Sequence, residues 1–265
     1  MVSVKSLYHR LVPTRIRNPI GLLRRRAWDG MVRSVSWPRL PPPGLLMNVQ
    51  MSPYLNEYLT IGRRSAASLM QALQSVGIDT ERPASILDLG CGSARVLRHF
   101  SNTRWDLHGA DIDAEAIEWA SRYLRFAKFQ LNGTNPPLSY EAARFDAVFA
   151  FSLFTHFTPE MRSAWCAEIH RVLAPGGFVM ISTLGASALP NYPVLATPLN
   201  QEQLVSEGTF FVKQGTRFNE QVAFHSRAGI ERLFSCHFSL ISWKEQGLDG
   251  FQDFSILQRR AIEIP

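Results

Sequence analysis

The hydrophobic pattern changes character along the chain. In the first 40 residues, apolar side chains recur at helical spacing over 4–11 and 28–35, which predicts two short amphipathic helices. Residues 41–44 read Pro-Pro-Pro-Gly, a sequence that interrupts regular structure. A longer helical pattern covers 52–76, and from Ser85 onwards short apolar runs alternate with helical patterns. That alternation predicts parallel strands joined by helices.

Five apolar runs predict the parallel strands, at 85–89, 107–112, 129–131, 145–152 and 178–183. Helices are predicted at 96–100, at 114–126, and from the Thr158-Pro159 cap to Leu173. Two further strands, at 238–243 and 251–258, are joined by a connection short enough for a hairpin. The pattern therefore predicts an α/β fold whose sheet is covered on both faces.

Composition and cysteine content limit the class of protein. The chain has 265 residues, of which 46% are hydrophobic and 19% charged, which suits one α/β domain with modest additions. Its apolar runs are too short to cross a bilayer, and arginines interrupt any signal-peptide pattern near the start. Cys91, Cys166 and Cys236 are odd in number and widely spaced, which favours a reducing cytoplasm.

Positive charge is concentrated at the N-terminal end. Residues 1–40 hold nine Lys or Arg and one acid, which gives this segment a net charge of +8. The whole chain has a net charge of +6, so the remaining residues carry −2. Such a segment attracts anionic lipid headgroups, nucleotide-linked substrates or nucleic acid. We predict a basic helical extension over 1–50, and a second domain over 51–265 with an insertion at about 186–235.

A glycine-rich turn follows the first predicted strand, where residues 86–95 read Ile-Leu-Asp-Leu-Gly-Cys-Gly-Ser-Ala-Arg. Gly90 and Gly92 let the backbone turn tightly and approach a ligand closely, but a dinucleotide-binding turn uses similar spacing. Asp88 separates the two interpretations, since its charge would repel a pyrophosphate. S-adenosylmethionine has no phosphate and carries a sulfonium and an ammonium, so an acid at this position favours it.

A second acid strengthens this interpretation. Asp111 stands at the end of the second predicted strand, about 20 residues beyond the turn, where an acid can accept hydrogen bonds from both ribose hydroxyls. Either Asp88 or Asp111 alone could be an ordinary turn cap or strand-end acid. Both acids in order with Gly90 and Gly92 predict cofactor binding.

With these motifs, residues 85–183 resemble the class I S-adenosylmethionine-dependent methyltransferase superfamily. The resemblance implies a doubly wound, Rossmann-like, mostly parallel seven-stranded sheet with an antiparallel last strand. In such a site Ile112 packs against adenine, and Asn132 stands at the adenine edge where many relatives have Asp. The implied cofactor contacts are Asp88, Gly90, Cys91, Gly92, Arg95, Asp111, Ile112, Asn132, Gly133 and Phe151.

The flanking segments resemble bacterial methyltransferases of glycan or secondary-metabolite pathways. The matching residues are Arg-Leu-Val-Pro at 10–13, the proline run with Leu45, and Gln252-Asp253. One position departs from the pattern, because Leu184 precedes Gly185 where such relatives often have histidine. We expect a small-molecule or glycan hydroxyl as acceptor, with residues 1–60 and 186–235 forming the acceptor cap.

Two histidines are candidate general bases for an acceptor hydroxyl. His156 follows the fourth strand, where an acceptor would lie, and His225 belongs to the predicted cap. A purely structural histidine remains an alternative at both positions. The sequence contains no clear acidic cluster that would predict a metal site.

Other functions remain open at the level of sequence. They are N-methylation of a small-molecule amine, NAD-dependent oxidoreduction, and a non-catalytic protein that binds a membrane or partner through its basic arm. A nucleic-acid acceptor is disfavoured: nucleobase amino-methyltransferases typically place Asn/Asp-Pro-Pro-aromatic at the end of the fourth strand, where this chain reads Phe-Ala-Phe-Ser at 149–152.

Overall fold

The computed structural model describes residues 29–32, 36–50, 52–213 and 221–261. Contacts divide the chain into two compact units, residues 1–40 and 41–265. In the first unit, residues 29–32 are helical. The helix predicted at 4–11 and most of the one at 28–35 lie outside the described residues. The boundary at residue 50 and the extent of the catalytic domain stay predictions.

Six α-helices and nine strands lie within the described part of the second unit. The helices are α1 (Pro43–Gln50), α2 (Leu55–Ser75), α3 (Ala114–Tyr123), α4 (Pro159–Val172), α5 (Pro198–Ser206) and α6 (Arg227–Phe234). The strands are β1 (Ser85–Leu89), β2 (Asp106–Asp111), β3 (Lys128–Leu131), β4 (Phe145–Ala150), β5 (Leu173–Thr183), β6 (Thr209–Lys213), β7 (Gln221–His225), β8 (Phe238–Leu248) and β9 (Gln252–Arg259). In these ranges no helix combines the length and hydrophobicity needed to cross a membrane.

Seven strands form one sheet in the order β3-β2-β1-β4-β5-β9-β8. Strands β1 to β5 pair in parallel, and β9 runs antiparallel to both β5 and β8. This topology confirms the predicted Rossmann-like methyltransferase fold. The strand order reverses between β1 and β4, and in doubly wound sheets ligands bind at such a point, outside the carboxyl ends of the strands.

Two apolar clusters cover the faces of the sheet. One contains Trp165 and Ile169 of α4 with Ile230 and Phe234 of α6. The other contains Leu69 and Leu73 of α2 with side chains that follow the glycine turn and line α3. Because both faces are covered, the carboxyl edge of the sheet is left to form a site.

Strands β6 and β7 form a separate antiparallel pair, inserted between β5 and α6. The Ala223 N–H donates to the Thr155 carbonyl at 2.7 Å, and the His225 N–H donates to the Leu184 carbonyl at 2.8 Å. We call residues 186–225 the cap. These bonds attach it to the segments that follow β4 and β5, on the ligand-binding edge.

The helix predicted around 96–100 is present as a 3-10 helix over Leu97–Phe100. Two strands extend several residues beyond their predicted bounds. Strand β5 begins at Leu173, where it pairs with Phe145 across a bulge, and includes the Pro-Gly-Gly segment expected to end the helix. Strand β8 continues to Leu248, so its connection to β9 is shorter than predicted.

Candidate cofactor-binding and acceptor site

The glycine turn adopts a backbone conformation that requires glycine. Gly90 and Gly92 have φ of 82° and 49°, and the N–H groups of Gly90 and Cys91 both donate to the Ala110 carbonyl. A Cβ on Gly92 would lie 2.7 Å from Cγ2 of Val49. Helix α1 therefore packs directly over the turn, a contact that no sequence motif predicts.

Cys91 packs inside the protein within the same turn. Its side chain is buried, and a Cβ on the neighbouring Gly109 would lie 2.9 Å from its sulfur. Burial and the charge of Asp88 raise the pKa of the Cys91 thiol well above its usual range. Cys91 is therefore a neutral thiol that shapes the turn rather than a nucleophile.

Asp111 joins the glycine turn to the end of β2. Its Oδ2 accepts the Gly92 N–H at 2.6 Å and its Oδ1 accepts the Asp113 N–H at 2.8 Å. A carboxylate has lone pairs for further hydrogen bonds, so Asp111 can also accept from ribose hydroxyls. Burial raises the pKa of this carboxyl.

Asp88 lies in β1 beneath the turn and is 4% exposed. Burial, followed by the charge of Asp111, raises its pKa well above the usual range, and only the charge of Arg95 opposes this shift. Burial lowers the pKa of Arg95, whose Nε is enclosed without a partner among the described residues. A cationic ligand, such as one that carries an ammonium or a sulfonium, would relieve the repulsion between the two carboxylates.

An apolar surface adjoins Asp111 at the ends of β2 and β3. Ile112 is 41% exposed, and Leu131, which pairs in register with Asp111, is 51% exposed. Exposed apolar side chains beside polar groups are typical of ligand sites, and a purine ring suits this one. The family resemblance implies that Ile112 packs against adenine. It implies no role for Leu131, because nothing in the sequence distinguishes this residue from other strand residues.

Asn132 and Gly133 continue from β3 on the same edge. The Asn132 N–H donates to the Asp111 carbonyl at 3.0 Å, and its Nδ2 donates to the Gly133 carbonyl at 2.7 Å. The remaining amide oxygen, Oδ1, is buried without a hydrogen-bond partner in the described residues. That oxygen could accept a hydrogen bond from the amino group of adenine.

The end of β4 is fixed by a polar network. Ser152 has φ of 59°, its N–H donates to Oγ of Ser182, and its own Oγ donates to Oε1 of Gln252. Phe151 contacts Phe254 with ring centroids 5.7 Å apart. This network holds the chain where β4 leaves the sheet and the acceptor region begins.

His156 lies on the segment after β4 and is oriented by the cap. Its Nδ1 is 2.8 Å from the carbonyl oxygen of Gln221. Since that oxygen can only accept, Nδ1 carries the proton, and in the neutral ring the basic lone pair is on Nε2. Burial lowers the pKa of His156, so the ring is neutral at pH 7.

His225 occupies a different environment at the end of β7. It is 1% exposed, and burial, with a contribution from the charge of Arg162, lowers its pKa to about 3. Its ring lines a cavity with Arg162 rather than the glycine turn. Its backbone adjoins Leu184, the position where relatives often have histidine. A catalytic role for His225 stays a prediction.

Asp253 enters the sequence analysis only through the flanking resemblance. It lies in β9, where it pairs with Thr183 at the end of β5. Asp253 is buried, its Oδ1 accepts the Gln246 N–H at 3.0 Å, and its other oxygen packs so closely against Gly185 that a Cβ there would clash. Burial raises the pKa of this carboxyl to about 6. No group of three His, Cys, Asp or Glu side chains in the described ranges is arranged to hold a metal ion.

A glycine turn at the switch point of the sheet, an acid at the end of β2 and a buried acid in β1 are together typical of one class of protein. The chain contains a methyltransferase domain of the class I S-adenosylmethionine-dependent type, and the cofactor of this domain is S-adenosylmethionine. Residues 86–177 match the family described as "Methyltransferase domain". The resemblance found in the sequence is thereby confirmed.

Similar proteins agree with this assignment. The chain is 27% identical over 139 residues to malonyl-[acyl-carrier protein] O-methyltransferase of Enterobacter lignolyticus, a match that covers 52% of each chain. It is 22% identical to a tRNA N(3)-methylcytidine methyltransferase of Schizosaccharomyces pombe, covering 62% of this chain and 53% of that protein. The chain thus spans about half the length of the curated relatives it matches.

A solved structure shares the fold. It is the 1,6-didemethyltoxoflavin-N1-methyltransferase of Burkholderia thailandensis with bound 1,6-didemethyltoxoflavin and S-adenosylhomocysteine. The identity is 18% and the TM-score 0.55, and the match covers 86% of this chain and 93% of that one.

Proposed function

We propose that the chain transfers the methyl group of S-adenosylmethionine to an oxygen atom of a small-molecule or glycan acceptor. The observation that carries this proposal is His156, a neutral imidazole held by the Gln221 carbonyl just beyond β4. The curated relatives that methylate oxygen on malonyl-[acyl-carrier protein] support an oxygen acceptor. The chemical class of the acceptor is inferred from the sequence resemblance.

The cofactor, when bound, supplies a methyl group on a positively charged sulfur. An aligned nucleophile takes this methyl group, and the sulfur is the leaving group. The residues of the chain supply position and proton transfer. Asp88 would neutralise the cationic charge of the cofactor, Asp111 would hold its ribose hydroxyls, and Ile112 would cover its base. His156 accepts the hydroxyl proton at Nε2 as the new carbon–oxygen bond forms. A hydroxyl has a high pKa and needs such a base, whereas an amine reacts with little more than alignment and desolvation.

A screen of hydroxyl and amine acceptors, read as S-adenosylhomocysteine formed and one methyl group gained in mass, tests the proposal. For an oxygen acceptor, we expect His156→Ala to lower kcat by about 100-fold or more, the contribution of a positioned general base. His99→Ala, which changes an exposed histidine, is the matched control. Unchanged turnover in His156→Ala would show that His156 is not the base.

The remaining alternatives give different results in the same screen. Methyl transfer to amines alone would favour N-methylation, and transfer to tRNA would overturn the expectation that nucleic acid is not the acceptor. Binding of S-adenosylmethionine without transfer to any acceptor would favour a non-catalytic role. We also propose that the basic segment over 1–40 contacts an anionic membrane surface or acidic partner from the cytoplasm, which vesicles with and without anionic lipid would test.

A further inference from the structure

A cavity of about 360 Å³ lies between the cap and helices α4 and α6. Its walls combine cationic, polar and apolar side chains, and they do not include the residues assigned to the cofactor. The lining residues are Arg162, Glu207, Thr209, His225, Gly229, Arg232 and Leu233.

Arg162 supplies a buried positive charge to this cavity. The residue is 5% exposed, its Nε donates to the Phe157 carbonyl and its Nη1 donates to Oγ1 of Thr209, both at 3.2 Å. Both acceptors are neutral. No ion pair among the described residues includes Arg162, and its Nη2 is buried there without a hydrogen-bond partner.

The guanidinium carbon of Arg162 lies 5.8 Å from the centroid of the Phe211 ring, but a buried cation that has an aromatic neighbour and no anion is still costly. A guanidinium stays protonated in proteins, so burial cannot neutralise it, and a buried charge is stable only when it is paired and hydrogen-bonded. The carboxylate whose charge acts most on Arg162 is Glu160, which is fully exposed and forms no ion pair with it. Glu207 lies in the wall of the same cavity, but neither it nor any other acid among the described residues forms an ion pair with Arg162.

The surroundings of Arg162 suit an anion. The His225 ring is neutral because of its lowered pKa, and neither ring nitrogen forms a hydrogen bond of normal geometry in the described residues, although the Phe154 carbonyl is close. Arg232, whose Nη1 donates to the Glu207 carbonyl, adds a second positive charge. The side chain of Leu233 and the backbone at Gly229 give the cavity an apolar wall.

We propose that this cavity binds the carboxylate or phosphate group of a small ligand, with Arg162 as its cation and His225 as a neutral hydrogen-bond donor. An anion placed there would pair with the orphaned Nη2 and remove the cost of the buried charge. The proposal is independent of the cofactor and of His156. It gives His225, the other histidine predicted as a base, a binding role in this cavity instead.

Calorimetric titration of the full chain tests the cavity. The probes are butyrate, inorganic phosphate and butyramide, which has the shape of butyrate without its charge. We expect saturable binding of at least one anion and none of butyramide. Binding of butyrate alone indicates a carboxylate ligand, and binding of phosphate alone a phosphorylated one; both results support the proposal.

Substitutions in the chain test whether the anion binds in this cavity. Arg162→Gln should weaken anion binding by about tenfold or more, the usual effect of losing a hydrogen bond to a charged group. Arg227→Gln, which removes an exposed arginine from the same helix as Arg232, should leave it unchanged. If Arg162→Gln fails to fold, Leu233→Trp, which fills the cavity and keeps the arginine, should abolish binding instead.

The proposal would be overturned if neither anion saturates, if butyramide binds as well as butyrate, or if the folded Arg162→Gln variant binds like the wild type. Binding of S-adenosylhomocysteine to the same samples separates this result from a failure of the methyltransferase proposal. That binding should be the same in Arg162→Gln and in the wild type.

Discussion

Asp88 and Asp111 bring two carboxylates to one glycine turn, and each has a different role. Asp111 is held by the N–H groups of Gly92 and Asp113, so part of its charge is already compensated. Asp88 has only the charge of Arg95 to oppose its burial. This arrangement lowers the stability of the empty protein and raises its affinity for a cation, a combination that is common at functional sites.

Replacing Asp88 should separate stability from binding. Because the folded state raises the pKa of Asp88, this group contributes stability at low pH that is lost as the pH rises through the raised pKa. At pH 7 we therefore expect Asp88→Asn to stabilise the empty protein by about 1 kcal/mol. The same change should weaken S-adenosylmethionine binding about tenfold, since a hydrogen-bonded charge is lost.

Urea unfolding and calorimetry measure the two effects of Asp88→Asn. Asp253→Asn is the matched control, because burial also raises the pKa of Asp253 in the other half of the sheet. It should stabilise the protein without changing cofactor affinity. A lower stability of Asp88→Asn at pH 7 would show that its charge is already compensated.

Cofactor binding should release protons. A cation beside Asp88 favours the ionised carboxyl and lowers its raised pKa, so affinity for S-adenosylmethionine should increase with pH until that pKa is passed. Calorimetry in buffers of different ionisation enthalpy measures the protons released. Asp88→Asn should release fewer, and equal release from both proteins would assign the protons to another group.

At the scale of elements, the site depends on how α1 and the cap close the carboxyl edge of the sheet. Val49 of α1 meets the glycine turn, and Asn48 donates to Oδ2 of Asp113 at 2.8 Å. On the other side, β7 orients His156 through the Gln221 carbonyl. Segments before and after the alternating strands and helices of residues 85–183 therefore complete the site.

The contact between α1 and the turn can be tested with paired glycine variants. Gly92→Ala places a Cβ against Val49 and strains a left-handed residue, whereas Gly77→Ala, with φ of 82°, imposes strain where nothing lies within 4 Å. Strain alone should cost about 1–2 kcal/mol in both. Only Gly92→Ala should also weaken cofactor binding, as measured by unfolding and titration; equal cofactor affinity in both variants would contradict a close contact.

At the scale of the whole molecule, the parallel strands, their covering helices and the cofactor turn form one cooperative structure. A ligand that binds only this folded state stabilises it in proportion to its saturation. The glycine turn follows β1, which lies inside the sheet between β2 and β4. Cofactor binding should therefore raise the free energy of global unfolding.

S-adenosylhomocysteine at about 100 times its Kd should therefore stabilise the protein by about 2.7 kcal/mol. NADH should have no effect, since Asp88 repels its pyrophosphate. Thermal unfolding with each ligand measures the difference. Equal stabilisation by NADH would favour the oxidoreductase alternative.

The sequence alone determined the chain order of the seven strands in the main sheet and of the helices between β1 and β5, the glycine turn, and the two acids predicted to bind the cofactor. These features are local: hydrophobic spacing fixes each element, and a turn with positive φ needs glycine wherever it occurs. The sheet order follows from general rules for chains in which strands and helices alternate.

Only the tertiary structure decided which distant segments meet at the site. Val49, Leu131 and Gln221 lie far apart in sequence and carry no motif, yet they contact the turn, border the adenine surface and orient His156. The missing partner of Arg162 likewise appears only in three dimensions. Packing between distant segments determines which ionisable side chains are buried. It also determines which of them have a partner of opposite charge and which can gain one only from a ligand.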